Sequence, residues 1–88
     1  MTTQDELTAR LQTLAPSKLE IIDESHLHAG HAGNTGGGQF TVLIVSELFA
    51  GLLPLKRHRL VFAAVGDLMQ QQIHALSIEA KTPAEYHG

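Results

Sequence analysis

Six histidines and no cysteine set the limits of what this 88-residue chain can do chemically. Three of the histidines follow the spacing His26-x-His28-x-x-His31 inside the segment 25–38, SHLHAGHAGNTGGG. A fourth, His74, stands near the start of the apolar run IHALSIEA. Neutral imidazole is a good ligand for transition metals and iron–sulfur centres. With no thiol available, disulfides, thiolate nucleophiles and any metal site built from the chain's own sulfur are excluded. Such histidine spacing is compositional, and the same residues read equally as a polar loop with one histidine at the core margin. His58 sits on an apolar helical stripe, where histidine is usually packed and hydrogen-bonded.

Other patterns that could do chemistry are weaker. The segment 25–38 holds Gly30, Gly33, Gly36, Gly37 and Gly38, but a strand follows it, so it lacks the helix a phosphate-binding loop requires. Ser25 with Asp23 and a nearby histidine has the composition of a triad without a nucleophile elbow. Asp23 and Glu24 are adjacent on a strand and point to opposite faces. The run Lys56-Arg57-His58-Arg59 gathers three of the six Lys and Arg residues, and could meet phosphates or an acidic protein surface. A solvated basic face is the plainer reading of that run.

These residues depend on a few elements for their placement. Leu7, Leu11 and Leu14 recur at helical spacing over 3–14, with Thr3 and Glu6 as a capping box and Ala15-Pro16 as the stop. Residues 18–24 alternate as a half-buried strand, and 39–46 are apolar on both faces, as in a central strand. A helix is expected over 52–72, opened by Pro54, with Leu55, Val61, Phe62, Val65 and Met69 facing inward and Leu60 outward. Alternation returns over 73–80, with His74, Leu76 and Ile78 facing one way. Thr82-Pro83-Ala84-Glu85 then reads as a capped turn.

A strand–helix–strand connection is normally a right-handed crossover, which makes the third strand parallel to the second. The first strand should pair antiparallel to the second. The product is an α+β two-layer sandwich, α-β-β-α-β, with helices covering one face of a three-stranded mixed sheet. In that topology the segment 25–38 leaves and re-enters the sheet at the end where the third strand begins. The loop histidines and His74 should therefore converge on one edge.

Composition agrees with a globular domain: 43% hydrophobic and 17% charged residues. The expectation is one domain over 1–88, with a core of about 3–86 and a flexible loop at 25–38. A net charge of −3 gives no overall basic field toward nucleic acid or anionic lipid. No apolar run reaches membrane-helix length, and the opening MTTQDELTARLQ lacks the order of a signal peptide, so a cytoplasmic protein is expected.

The stretches LEIIDESHLHAGHAG, QFTVLIVS, LLPLKRHRLVFAAVGDLM and IHALSIEAKTPAEY together resemble the BolA family over almost the whole chain. Arg57-His58-Arg59-Leu60-Val61 and Ile73-His74-Ala75-Leu76 carry the resemblance most specifically. It implies a class II KH-like fold and a non-enzymatic iron–sulfur accessory protein. That protein would pair with a monothiol glutaredoxin and share a bridged [2Fe–2S] cluster with it and glutathione, in cluster trafficking or iron regulation. The implied ligands are His74 and one loop histidine, His28 before His31. Lys56, Arg57 and Arg59 become the partner- or nucleic-acid-binding residues. Gln39 departs from the histidine many members carry before the second-strand phenylalanine. The isolated protein is expected to be a monomer or weak homodimer with no membrane association. The alternative is a KH-like nucleic-acid-binding transcriptional regulator with DNA as partner. A KH signature is a Gly-x-x-Gly loop between helices, and Phe49-Ala50-Gly51-Leu52-Leu53-Pro54 has none.

Overall fold

The computed structural model describes residues 1–25 and 38–88. Helix α1 (Thr3–Leu11) is capped one residue earlier than expected, by Thr2. Thr2 is extended (φ −84°, ψ 166°), its hydroxyl accepts from the Asp5 amide at 3.1 Å, and the Asp5 carboxylate accepts from the Thr2 amide at 3.1 Å. The expected cap, Thr3, instead donates its hydroxyl to the Gln72 side chain at 2.8 Å, tying the helix to the far end of the chain. A cap contributes about 1 kcal/mol, whereas each fully buried leucine contributes about 1.5–3 kcal/mol. Burial of Leu7 and Leu11 therefore decides which face of α1 turns inward. The last turn tightens to a 3₁₀ turn (Gln12–Leu14) and stops at Ala15, whose φ of 50° ends the helix before Pro16.

Strands β1 (Lys18–Asp23), β2 (Gly38–Val45) and β3 (Ile73–Lys81) form one sheet in the order β1-β2-β3. β1 runs antiparallel to β2, with Leu19 opposite Ile44 and Ile21 opposite Val42. β3 runs parallel to β2, with Phe40 opposite Leu76 and Val42 opposite Ile78. Both pairings are those expected from the sequence. Phe40, Val42 and Ile44 point into the core with Leu7, Leu11, Val61 and Val65, so the helices cover that face.

The long helix is divided. α2 (Pro54–Val65) ends at Gly66, whose φ of 60° and ψ of −132° suit glycine, and α3 (Leu68–Gln71) follows. The inward stripe is also rotated from the expected one. Val61, Val65 and Leu68 are buried, and Leu60, Ala64 and Met69 pack against them. Leu55 and Phe62 face solvent. Leu60 packs against the core because the inward stripe pairs 60 with 61, 64 with 65 and 68 with 69, a regular helical spacing that leaves Leu55 and Phe62 outside. Among the described residues, no helix is long and apolar enough to cross a membrane.

Ser46 ties the two halves together. Its buried hydroxyl donates to the Leu14 carbonyl at 2.7 Å and accepts from the Leu48 amide at 3.1 Å, capping the 3₁₀ turn Glu47–Phe49. Removing it strands a carbonyl and opens the cap. Ser46→Ala should cost about 1–3 kcal/mol, seen as a lower midpoint in urea denaturation with an unchanged slope.

Candidate functional site

β3 does not enter the sheet in simple alternation. The register runs from Gly38 opposite Ile73 directly to Gln39 opposite Ala75, which leaves His74 as the extra residue of a bulge. Ile73 is buried on the core side, and Leu76 and Ile78 pack on the same side, an odd and two even positions reconciled by that extra residue. His74 is exposed. The expectation that it shares a face with Leu76 and Ile78 is therefore corrected: the bulge changes the phase between them. The signal was present in the sequence, since Ile73 and Leu76 cannot both face inward on a regular strand.

The ends of the histidine segment are fixed at this edge. The Glu24 amide donates to the Gln39 carbonyl at 2.8 Å, which carries the β1–β2 pairing one residue further. The Ser25 hydroxyl accepts from the Gln39 amide at 2.9 Å, and the Ser25 amide donates to Asp23 at 2.9 Å. Ser25 thus acts as a strand-end bracket. Gly38 donates its amide to the Gln72 carbonyl at 2.9 Å, immediately before β3. A Cβ there would lie 2.6 Å from the Phe40 ring and 3.2 Å from the Ser25 hydroxyl, so this close approach needs glycine. Both chain ends of 26–37 therefore start from the sheet edge where His74 stands. His28 and His31 lie outside the described residues, as does most of the loop expected at 25–38. Among the described residues, no three His, Asp or Glu side chains group closely enough to hold a metal ion.

The basic run divides in two. Lys56 and Arg59 are exposed. The Arg57 side chain retains only 11% of its accessible surface. Its Nε donates to the Leu52 carbonyl at 2.8 Å and its Nη1 to the Ala80 carbonyl at 3.1 Å. Nη1 and Nη2 also reach the two Glu85 oxygens at 2.6 and 3.1 Å, a bidentate fork onto helix α4 (Pro83–His87). Of the three cations assigned to partner or nucleic-acid contact, Arg57 is thus engaged within the chain. Periodicity could not have found this, because Glu85 lies 28 residues away. His58 is half-buried on α2, between the two exposed cations.

The chain matches the family model for BolA-like protein over residues 11–85. With its α-β-β-α-β order and mixed three-stranded sheet, it belongs to the BolA-like protein family. It is 45% identical over 75 residues to the mouse (Mus musculus) BolA-like protein 1, covering 85% of this chain and 53% of that one. It is 42% identical over 71 residues to the DNA-binding transcriptional regulator BolA of Vibrio cholerae, covering 81% and 65%. The solved BolA domain of SufE1 from Arabidopsis thaliana superposes with a TM-score of 0.82 at 40% identity, covering 97% of this chain and 98% of that one. The chain spans about half the length of the mammalian relatives and 21% of the full SufE-like protein 1 of Arabidopsis thaliana.

The Glu85 carboxyl is held down to about 2 from an ordinary 4.5, first by the Arg57 fork and then by the Thr82 amide. A depressed carboxyl stabilises the fold at pH above its unfolded value, and that contribution is lost as pH falls through the folded value. Between pH 4.5 and about 2 the parent should therefore lose stability more steeply than Glu85→Gln. Thermal melts across that window check it, the parent starting higher and the two curves converging toward pH 2.

Proposed function

We propose that this protein is an accessory subunit in iron–sulfur metabolism. In this reading it pairs with a monothiol glutaredoxin and lends histidine ligands to a shared [2Fe–2S] cluster. The observation that carries the proposal is the exposed imidazole of His74, on a β-bulge beside the anchored ends of a three-histidine segment. The donor set fits a shared group. A chain without cysteine can fill only part of an iron's coordination with imidazole, so in this reading the thiolates come from the glutaredoxin and glutathione. When bound, such a group supplies one-electron chemistry, at a higher potential where imidazole replaces thiolate.

The residues of this chain divide the work. His74 would offer a ring nitrogen from a bulge held between Ile73 and Ala75, both paired to β2. His28, or His31 in its place, would supply the second nitrogen. Ser25 and Gly38 hold the segment's two ends at the edge. Lys56 and Arg59 are the exposed cations suited to an acidic partner surface. This is a binding role in which no side chain performs catalysis.

A second reading, nucleic-acid binding, is favoured by the Vibrio cholerae relative's description as a DNA-binding transcriptional regulator. Reversing the charges of Lys56 and Arg59 separates the two. A regulator would lose duplex affinity and part of its salt slope, about one counterion per lost phosphate contact. A glutaredoxin partner would lose heterodimer affinity instead.

Mixing the protein with a monothiol glutaredoxin, iron, sulfide and glutathione should give absorption and circular dichroism spectra of a mixed cluster. His74→Ala should abolish that spectrum while the apo heterodimer still forms. His28→Ala should weaken it more than His31→Ala. An unchanged mixed spectrum in His74→Ala would remove His74 from the ligand set.

A further inference from the structure

We propose that the Arg57 guanidinium is a binding site for a carboxylate on an acidic protein segment, and that Glu85 is a built-in competitor masking it. The site is preorganised. Two backbone carbonyls, of Leu52 and Ala80, fix the plane of the guanidinium and leave a fork of donors directed at one carboxylate. Such forks match carboxylates in shape as well as charge. The fork opens onto a cleft of about 530 Å³ walled by Ala50, Gly51, Pro83 and Ala84, with Glu47 also in the lining.

The masking element is weakly held. α4 has five residues and none is buried. Among its attachments are the Arg57–Glu85 fork and the Lys18 ammonium, 5.6 Å from the centre of the Tyr86 ring. Glu85 also serves its own helix, because its Oε1 accepts from the Thr82 amide at 2.9 Å and closes the capping box that starts α4. A carboxylate that took the fork would displace Glu85 from Arg57, so the docked position of α4 and a ligand on Arg57 exclude one another. By linkage, each lowers the other's stability equally.

The fork itself sets the ligand class, since its two outer guanidinium nitrogens meet the two oxygens of one carboxylate. One carboxylate side chain fits, as Glu85 itself demonstrates, and Lys56 and Arg59 flank Arg57 in sequence with further positive charge. This inference is independent of cluster ligation and is tested on the isolated chain.

Fluorescence anisotropy with a labelled oligoglutamate peptide reads the site directly. Glu85→Gln should bind about tenfold tighter than the parent, because a tethered competitor at high effective concentration is lost. Glu6→Gln, which changes net charge equally on α1, should bind as the parent does. Adding Arg57→Lys to Glu85→Gln should erase the gain. In the parent, saturating peptide should speed amide hydrogen exchange over 83–87, a readout that stands even if an Arg57 variant fails to fold. A gain shared by Glu6→Gln, a gain that survives Arg57→Lys, unchanged exchange over 83–87, or tighter binding of duplex DNA than of peptide would each overturn the proposal.

Discussion

Parallel pairing of β2 with β3 is the constraint on which the other features rest. A parallel pair cannot be closed by a tight turn, so a crossover must carry the chain from one end of the sheet to the other. That crossover is α2 and α3, and its inward residues Val61, Val65 and Leu68 form much of the helical layer over Phe40, Val42 and Ile44. The same pairing puts the starts of β2 and β3 at one edge, so that residues far apart in sequence become neighbours there. Antiparallel pairing would have sent His74 to the opposite end of the domain from the histidine segment.

The opposite edge of the sheet follows from the same geometry. β2 and β3 both finish there, and Ser46, Arg57 and α4 gather around their last residues. Ser46 and Arg57 use backbone carbonyls as anchors: Leu14 for Ser46, and Leu52 and Ala80 for Arg57. The two ends are therefore built differently. The His74 end displays side chains, whereas the Arg57 end consumes them internally.

Strand positions were legible in the sequence because their signals are local. Alternation in KLEIIDE, a doubly apolar QFTVLIV and a capped Thr82-Pro83-Ala84-Glu85 each specify a structure within a few residues. Topology followed from the handedness of crossovers, and with it the proximity of His74 to the segment's ends. What stayed hidden depended on distant partners. The Arg57 fork needs Glu85, and the rotation of α2 that turns Leu60 toward the core depends on which of two adjacent apolar stripes meets the sheet. Thr2 caps α1 while Thr3, the expected cap, turns to Gln72 across 69 residues. The phase change at His74 was written in Ile73 and Leu76, but reading it requires knowing which face is inner. His28 and His31 lie outside the described residues, so their order as ligands rests on the family resemblance.

The bulge at His74 also governs how this molecule meets copies of itself. β3 is an outer strand of the sheet, nine residues long, and a straight outer strand is an open template for a second chain. Here the bulge distorts one end, Pro83 follows the other, and Glu79 and Lys81 put charge between them. Substituting His74 leaves this protection in place, whereas deleting the residue removes the bulge. Ile73 and Leu76 would then stand two positions apart and share the inner face of a regular, unbulged strand. A chain shortened in that way should self-associate more strongly than the parent in sedimentation experiments, a role for the residue's presence whatever its ring does.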